Sequence, residues 1–95
     1  MANEERVAAY QAGDIGGLEE VFRNVEGLIR HQAKKLCRND SLLEDLLQEG
    51  RAAVMEATKK FDLRRGTLFT TYALPLIRAA MVEYLAKADS PVSLP

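Results

Sequence analysis

The sequence predicts an all-α fold, a compact bundle of about four helices connected by short loops. Apolar residues recur at steps of three and four along most of the chain, the spacing that gives a helix one buried face. No segment alternates apolar and polar residues as a half-buried strand does, and only three prolines and six glycines interrupt the 95 residues. A chain of this length forms one small domain with a single core.

The first two helices are predicted over residues 3–11 and from Asp14 to about Leu36. Ala12 and Gly13 end the first helix, and the Asp14 carboxylate can accept hydrogen bonds from the free amide groups that begin the second. Eight apolar residues form one stripe along the second helix: Leu18, Val21, Phe22, Val25, Leu28, Ile29, Ala33 and Leu36.

The third helix is predicted from a capping box at Ser41 and Glu44 to about Lys60. In such a box the serine oxygen accepts from the third helical amide, and the glutamate accepts from the amide of the serine. Gly50 lies in the apolar stripe and would allow a neighbouring helix to approach closely. The stripe consists of Leu43, Leu46, Leu47, Gly50, Ala53, Val54, Ala57 and Phe61.

The fourth helix follows a turn at residues 62–66, in which Gly66 is expected to adopt a positive φ. Thr70 or Thr71 is predicted to cap it. Pro75 should lie within its first turns, where a proline removes only a marginal hydrogen bond. Residues 86–95 are expected to be extended or loose. The apolar stripe consists of Phe69, Tyr72, Ala73, Leu76, Ile77, Ala80, Met81, Tyr84 and Leu85.

The sequence lacks the patterns of catalytic and metal-binding sites. His31 is the single histidine, interpreted as a surface or boundary residue, and Cys37 is the single cysteine, interpreted as a buried small side chain. We therefore predict that the protein is not an enzyme and uses no cofactor or metal. A lone cysteine fits a reducing cytoplasm. No segment approaches the ~20 apolar residues of a membrane span, so no membrane partner is expected.

Charge is divided unevenly along the chain. Residues 1–58 have a formal charge of −4 and residues 59–95 a charge of +3, giving −1 in total. Two surfaces of opposite sign would explain this division, and so would chance. On the third helix, Asp45, Gln48, Glu49 and Glu56 project from one side. They form either a solvated face or a docking face for a basic partner helix.

The segment from Phe61 to Arg78 is rich in groups that bind nucleic acid. Arg64 and Arg65 suit phosphate contacts, and Phe69 and Tyr72 suit stacking on unpaired bases. Both rings also lie on the apolar stripe of the fourth helix. From spacing alone, a place in the core is favoured over contact with bases.

Three blocks of sequence resemble conserved region two of bacterial sigma-70 family factors, in matching order and spacing: DLLQEG at 45–50, KFDLRRG at 60–66 and LFTTYALPLIRAAM at 68–81. The segment from Ala9 to Leu36 is similar to the preceding helices of that family. The TYALPLI form looks more like alternative factors of the sporulation and stress type. The resemblance covers nearly the whole chain and implies the region 2 type of helical bundle.

The resemblance implies a transcription initiation factor domain with two binding surfaces. One docks on the clamp helices of the RNA polymerase β′ subunit, and the other binds the non-template strand of the −10 promoter element. The residues implied for core polymerase are Asp45, Gln48, Glu49, Arg51 and Met55. Those implied for the single strand are Phe61, Arg64, Arg65, Phe69, Thr71 and Tyr72. Those implied to face the upstream duplex edge are Arg78, Ala79 and Val82. An anti-sigma factor is a further partner that the resemblance admits.

The chain departs from the housekeeping members at two points. They have two tryptophans, which help to open the duplex, where this chain has Pro75 and Leu76. Ala79 and Val82 also lack the polar groups used for base readout. The alternative function is therefore a helical interaction module that binds polymerase or a regulator and has lost promoter melting.

The predicted organisation is one region 2 domain over residues 1–95. Residues 88–95, which contain SPVSLP, resemble the start of the linker to a next domain. We expect a piece of a longer factor. The other interpretation is a separate small protein whose partner subunit supplies the remainder.

Overall fold

The structure is a computed structural model and describes residues 2–37 and 39–88. Within these residues the chain forms four α-helices: α1 (Asn3–Gln11), α2 (Ile15–Leu36), α3 (Leu43–Lys60) and α4 (Phe69–Lys87). Short 3-10 turns at Asp40–Leu42 and Leu63–Arg65 precede α3 and α4. No strand occurs in the described part of the chain, which confirms the all-α prediction. The expected linker lies almost wholly outside the described residues. None of the described helices is long and apolar enough to cross a membrane.

One core lies between the four helices, with α4 packed mainly on α3 and α1 mainly on α2. Helices α2, α3 and α4 contribute the apolar stripes that their spacing predicts, and α1 contributes Val7. The fully buried large side chains are Val7, Val21, Val25, Ile29, Leu36, Leu46, Leu47, Val54, Phe69, Ile77, Met81 and Leu85. Leu76 is an exception, since 39% of its surface is exposed at the edge of the α4 stripe.

Two glycines set the distances between helices. A Cβ on Gly17 would collide with the Arg6 carbonyl, so the absence of a side chain there brings α1 onto α2. A Cβ on Gly50 would lie 2.7 Å from Met81 Cε and 2.9 Å from Ile29 Cγ2. The close approach predicted at Gly50 is therefore confirmed.

Local capping explains only some of the helix starts. Asp14 caps α2 as predicted, because its carboxylate accepts from the Gly16 amide at 2.9 Å. The predicted capping box at Ser41 is wrong. Asn39 Oδ1 accepts from both the amide (3.0 Å) and the hydroxyl (2.9 Å) of Ser41, which makes a 3-10 turn that delays α3 until Leu43.

The predicted cap of α4 by Thr70 or Thr71 is also wrong. The helix begins at Phe69, so both threonines already lie inside its first turn, and its N-cap residue Leu68 makes no side-chain cap. A residue far away in sequence supplies the missing acceptor: Glu4 Oε2 accepts from the Phe69 amide at 2.7 Å. Pro75 lies in the second turn of α4, in agreement with its predicted place.

Candidate functional site

The acidic residues of α3 lie on its solvent side. Asp45 and Gln48 are exposed and Glu49 is half-buried, while Leu46 and Leu47 between them point into the core. Met55 continues the exposed side two turns further along. Helical spacing therefore brings four of the five residues implied for polymerase binding onto one accessible face, named here the α3 face: Asp45, Gln48, Glu49 and Met55.

Arg51, the fifth residue of that set, forms an ion pair with another residue of the same chain. Its guanidinium donates to Glu26 Oε1 on α2 at 2.6 Å, and both side chains are about 30% exposed (28% and 31%). This hydrogen bond, more than any other contact, lowers the pKa of Glu26 and raises that of Arg51. Glu26 also pairs with Arg30 at 3.3 Å. Arg51 thus links α3 to α2 and differs in environment from the other four.

Tyr84, which the sequence did not single out, extends the α3 face onto α4. Its hydroxyl donates to Asp45 Oδ2 at 2.8 Å. A groove beside this bond is lined by Glu49, Ala80, Glu83, Tyr84 and Lys87. The place of Tyr84 on the apolar stripe of the fourth helix predicted a core residue. Its side chain is only half-buried, because its hydroxyl reaches the solvent side of α3.

The turn between α3 and α4, residues 62–68, is named here the arginine loop. The Asp62 carboxylate accepts from the Arg64 backbone amide at 3.0 Å and from its guanidinium at 3.2 Å, and lies 3.6 Å from Arg65 Nε. The hydrogen bond from the Arg64 amide has the largest effect on the pKa of Asp62 and lowers it. The hydrogen bond from the Arg64 side chain lowers this pKa further. Gly66 has a φ of +71°, as predicted. Because the arginine side chains are 91% and 78% exposed, both remain accessible to a partner.

Three aromatic rings meet at the base of the arginine loop. Phe61 and Phe69 are in edge-to-face contact with centroids 5.4 Å apart, and Tyr72 lies 5.5 Å from Phe61. Phe69 is fully buried and Phe61 is 5% exposed, whereas Tyr72 is half-buried. The core location favoured by spacing is thus confirmed for Phe69. In this packing, Tyr72 is the most exposed of the three rings.

A pocket of about 370 Å³ opens beside Tyr72. Its walls combine two aromatic residues, two threonines, two basic residues and one acidic residue. Thr71, implied for single-strand binding, is exposed at its edge. The lining residues are Lys60, Phe61, Asp62, Arg65, Thr67, Thr71 and Tyr72.

The solvent side of α4 beyond Tyr72 is mostly apolar. Pro75, Leu76 and Ala79 are exposed, and Val82 is half-buried on the same helix. Arg78 is half-buried. The residues implied for the duplex edge therefore reach the surface but include a single charged group.

Among residues 2–37 and 39–88, no group of histidine, cysteine, aspartate and glutamate side chains could hold a metal ion. Cys37 is half-buried, and its thiol donates to the Asn39 carbonyl at 2.7 Å.

Comparison with known proteins gives one consistent family. A family profile described as Sigma-70 region 2 matches residues 21–90. The chain is 34% identical over 83 residues to the RNA polymerase sigma factor FliA of Escherichia coli (strain K12), covering 84% of this chain and 35% of FliA. It is 37% identical over 93 residues to the RNA polymerase principal sigma factor HrdD of Streptomyces viridifaciens, covering 97% of this chain and 27% of HrdD.

A third relative is the RNA polymerase sigma factor SigA of Listeria monocytogenes, with 32% identity over 98 residues, covering 100% of this chain and 26% of SigA. No solved structure gave a significant match. The chain thus spans about a third or less of the length of these relatives. The profile match and the similarity to several relatives agree with the resemblance carried by the three sequence blocks. The chain therefore belongs to the sigma-70 family and contains its region 2.

Proposed function

We propose that this chain acts in transcription initiation, docking on RNA polymerase through the α3 face and binding single-stranded promoter DNA through the arginine loop. The observation that carries the proposal is the arrangement around the C-terminal end of α3. Two exposed arginines, the half-buried ring of Tyr72 and a pocket that this ring lines lie together just after a helix whose other exposed side is acidic. One rigid helix thus connects a surface for a basic protein partner to a surface for nucleic acid.

For the polymerase partner, the chemistry favours a basic helix, and the family resemblance points to the clamp helices of the β′ subunit. Asp45 and Glu49 supply negative charge, and Met55 supplies an apolar contact. Charged side chains at such a surface mainly set the association rate and the choice of partner. Met55 and the half-buried Tyr84 ring are the groups whose burial would add affinity.

For DNA, the geometry favours an unpaired strand of the −10 element. Arg64 and Arg65 contact the backbone, and Tyr72 stacks on a base, which is worth ~1–3 kcal/mol. The pocket beside Tyr72 has a volume of about 370 Å³, within the range typical of small-molecule sites, and accepts a second base turned out of the stack. Phe61 packs against Tyr72 and holds it in place, and Phe69 packs in turn against Phe61. On α4, Arg78, Ala79 and Val82 face the adjoining duplex.

Comparison of the free energies of base-pair separation and of stacking indicates that the chain opens a promoter only together with polymerase. Separating about ten base pairs costs roughly 1.4 kcal/mol for each step. One open aromatic ring returns only ~1–3 kcal/mol. The net charge of −1 also makes binding of the free chain to duplex DNA weak, since neutralisation of phosphates drives such binding.

The docking half of the proposal is tested by charge reversal. The double variant Asp45→Lys, Glu49→Lys should lose binding to core polymerase and to the isolated β′ clamp helices. The matched control is Glu5→Lys, Glu19→Lys, which changes the charge equally at exposed positions of α1 and α2. Equal binding by the two double variants would refute docking through the α3 face.

The DNA half is tested with a fluorescent oligonucleotide of −10 non-template sequence, added to the chain bound to core polymerase. Arg64→Gln, Arg65→Gln should weaken binding. The slope of log affinity against log salt should fall by about 1.4, since each phosphate contact on single strands contributes about 0.7. Lys34→Gln, Lys35→Gln removes the same charge from the end of α2 and should leave the slope unchanged. A slope equal to that of wild type in the arginine variant would exclude phosphate contacts by the loop.

A second candidate is a module that binds polymerase or a regulator without opening promoters. The exposure of Pro75 and Leu76 favours it, because these residues replace the tryptophans of housekeeping members on an accessible face of α4. Run-off transcription with purified core polymerase separates the two functions. Binding to core without any transcript supports the module, and a transcript supports the initiation factor.

A further inference from the structure

Helix α1 bonds to both ends of the arginine loop. Glu4 Oε2 accepts from the Phe69 amide, the first of α4, at 2.7 Å. Gln11 Nε2 donates to the carbonyls of Thr58 and Phe61, at the end of α3, at 3.0 and 2.9 Å. These three bonds join residues 47 to 65 positions apart, and all are partly buried. All of α1 precedes residue 21 and so lies outside the region of the chain that the family profile matches.

The chemistry of each bond suits the helix end that it meets. The first amides of a helix and its last carbonyls have no partner within the helix. A carboxylate at the start of α4 satisfies an amide and complements the positive end of the helix dipole. The carboxamide of Gln11 has two N–H donors, and both are used on carbonyls at the end of α3. Glu4 and Gln11 therefore fix the two points between which the loop runs.

Helix α1 is itself firmly attached to the rest of the domain. Val7 is fully buried in the core, and Gly17 lets α1 lie directly on α2. Arg6 pairs with Glu20 on α2 at 2.6 Å. Asn24 on α2 donates to Asn3 Oδ1 at 3.2 Å. A change in α1 is thus transmitted to the loop ends through a helix that is fixed along its length.

We propose that α1 positions the DNA surface and that Glu4 and Gln11 are its positioning residues. Both act through the ends of the loop and not by contact with DNA. Glu4 sets where α4 begins and hence the place of Tyr72 in its first turn, and Gln11 sets where α3 releases the loop. This inference rests on the proposed function of the arginine loop, since it concerns the geometry in which that loop meets a single strand.

The test for Glu4 compares two helix caps. Glu4→Ala removes the acceptor at the start of α4. Asp14→Ala removes the comparable side-chain cap at the start of α2, away from the loop. With each chain bound to core polymerase, and at a temperature at which circular dichroism shows the chains folded, Glu4→Ala should lower affinity for the −10 non-template oligonucleotide about fivefold. Asp14→Ala should lower it less than twofold, and Glu4→Gln, which keeps an acceptor oxygen, should restore most of the affinity.

Gln11→Met provides an independent variant, because it keeps the length of the side chain and removes both donors without adding charge. It should also weaken oligonucleotide binding severalfold while leaving core polymerase binding unchanged. Hydrogen exchange of the Phe69 amide in the chain alone gives a readout that does not depend on DNA. Exchange there should accelerate in Glu4→Ala and remain slow in Asp14→Ala.

The outcomes separate this inference from the proposed function. If wild type on polymerase fails to bind the oligonucleotide, the proposed function fails, while the amide exchange still reports whether Glu4 caps α4. If wild type binds and Glu4→Ala matches Asp14→Ala in affinity, the positioning role is overturned. Unchanged exchange at Phe69 in Glu4→Ala would also overturn it.

Discussion

The hydroxyl of Tyr84 on α4 donates a hydrogen bond to the Asp45 carboxylate on α3, with 2.8 Å between the oxygens. The bond crosses the interface between the two helices that form most of the proposed binding surfaces. It orients a carboxylate at the centre of the α3 face. The carboxylate, together with the partial burial of the hydroxyl and the neighbouring charge of Glu49, raises the pKa of Tyr84 above its usual value of 10.0.

Replacing Tyr84 with phenylalanine removes this bond and keeps the ring. We expect binding to core polymerase to weaken by about two- to fivefold, as for a partly exposed polar contact, with single-strand binding unchanged. Asp45→Asn should lower the pKa of Tyr84 towards 10.0, which ultraviolet absorption of the tyrosinate would report. A raised pKa means that the bond stabilises the fold up to about pH 10 and loses its effect as the hydroxyl ionises. If Tyr84→Phe binds polymerase as tightly as wild type, the hydrogen bond to Asp45 does not contribute to docking.

Tyr72 should act by stacking, and two substitutions separate stacking from packing. Tyr72→Leu keeps an apolar side chain against Phe61 but removes the ring, and Tyr72→Phe keeps the ring. In the polymerase-bound chain, the leucine variant should bind the −10 oligonucleotide about 5- to 150-fold more weakly, the equivalent of ~1–3 kcal/mol. The phenylalanine variant should stay close to wild type. Loss of core polymerase binding in the leucine variant would instead indicate a structural role.

Gly50 should be intolerant of a side chain, although alanine is the better helix former. Its Cβ would meet a methionine tip and a less adaptable isoleucine methyl at under 3 Å (2.7 and 2.9 Å), so Gly50→Ala must displace α2 or α4. We expect a net loss of about 1–3 kcal/mol in the free energy of unfolding. Gly27→Ala, on an open face of α2 with nothing within 4 Å, should gain about 0.5–1 kcal/mol. Urea denaturation measures the free energy of unfolding of both variants. Similar free energies for Gly50→Ala and Gly27→Ala would show that the helices have room to separate.

Hydrophobic spacing was sufficient to predict the helices because the apolar stripe of each helix is buried against the neighbouring helices. The predicted span of residues 3–11 and the end of α2 at Leu36 agree with the structure. The starts of α3 and α4 were predicted less well. At α4 the first amide bonds to the carboxylate of Glu4, 65 residues away, and not to a local threonine. No local pattern in the sequence reveals this distant partner. The Ser41 box does not form because Asn39 Oδ1 accepts from both the amide and the hydroxyl of Ser41, at the start of a 3-10 turn.

The candidate site was predictable as a location and less so in its details. The sequence blocks indicated the α3 face and the arginine loop, and both are accessible. The blocks did not distinguish Arg51 from the other four residues implied for polymerase binding, because the pairing of Arg51 with Glu26 depends on how α2 lies against α3. Nor did they separate Tyr72 from Phe61 and Phe69. Each ring lies on the apolar stripe of its own helix, Phe61 on α3 and the other two on α4, and only the packing shows that Tyr72 is the most exposed.

The ion pair between Glu26 and Arg51 should give the fold a measurable dependence on acid. The Arg51 hydrogen bond lowers the pKa of Glu26 below its ordinary value of 4.5. The pair therefore stabilises the folded chain fully above about pH 4.5 and loses its effect as the pH falls through the lowered pKa. Glu26→Gln should reduce the free energy of unfolding at pH 7 by about 1 kcal/mol or less, and its deficit relative to wild type should disappear in acid. Glu56→Gln, whose ion pairs to Lys59 and Lys60 are longer (3.8 Å), should change stability less at pH 7. Urea unfolding from pH 7 to pH 3 measures these differences, and a Glu26→Gln deficit that stays constant across that range would rule out the ion pair as its source.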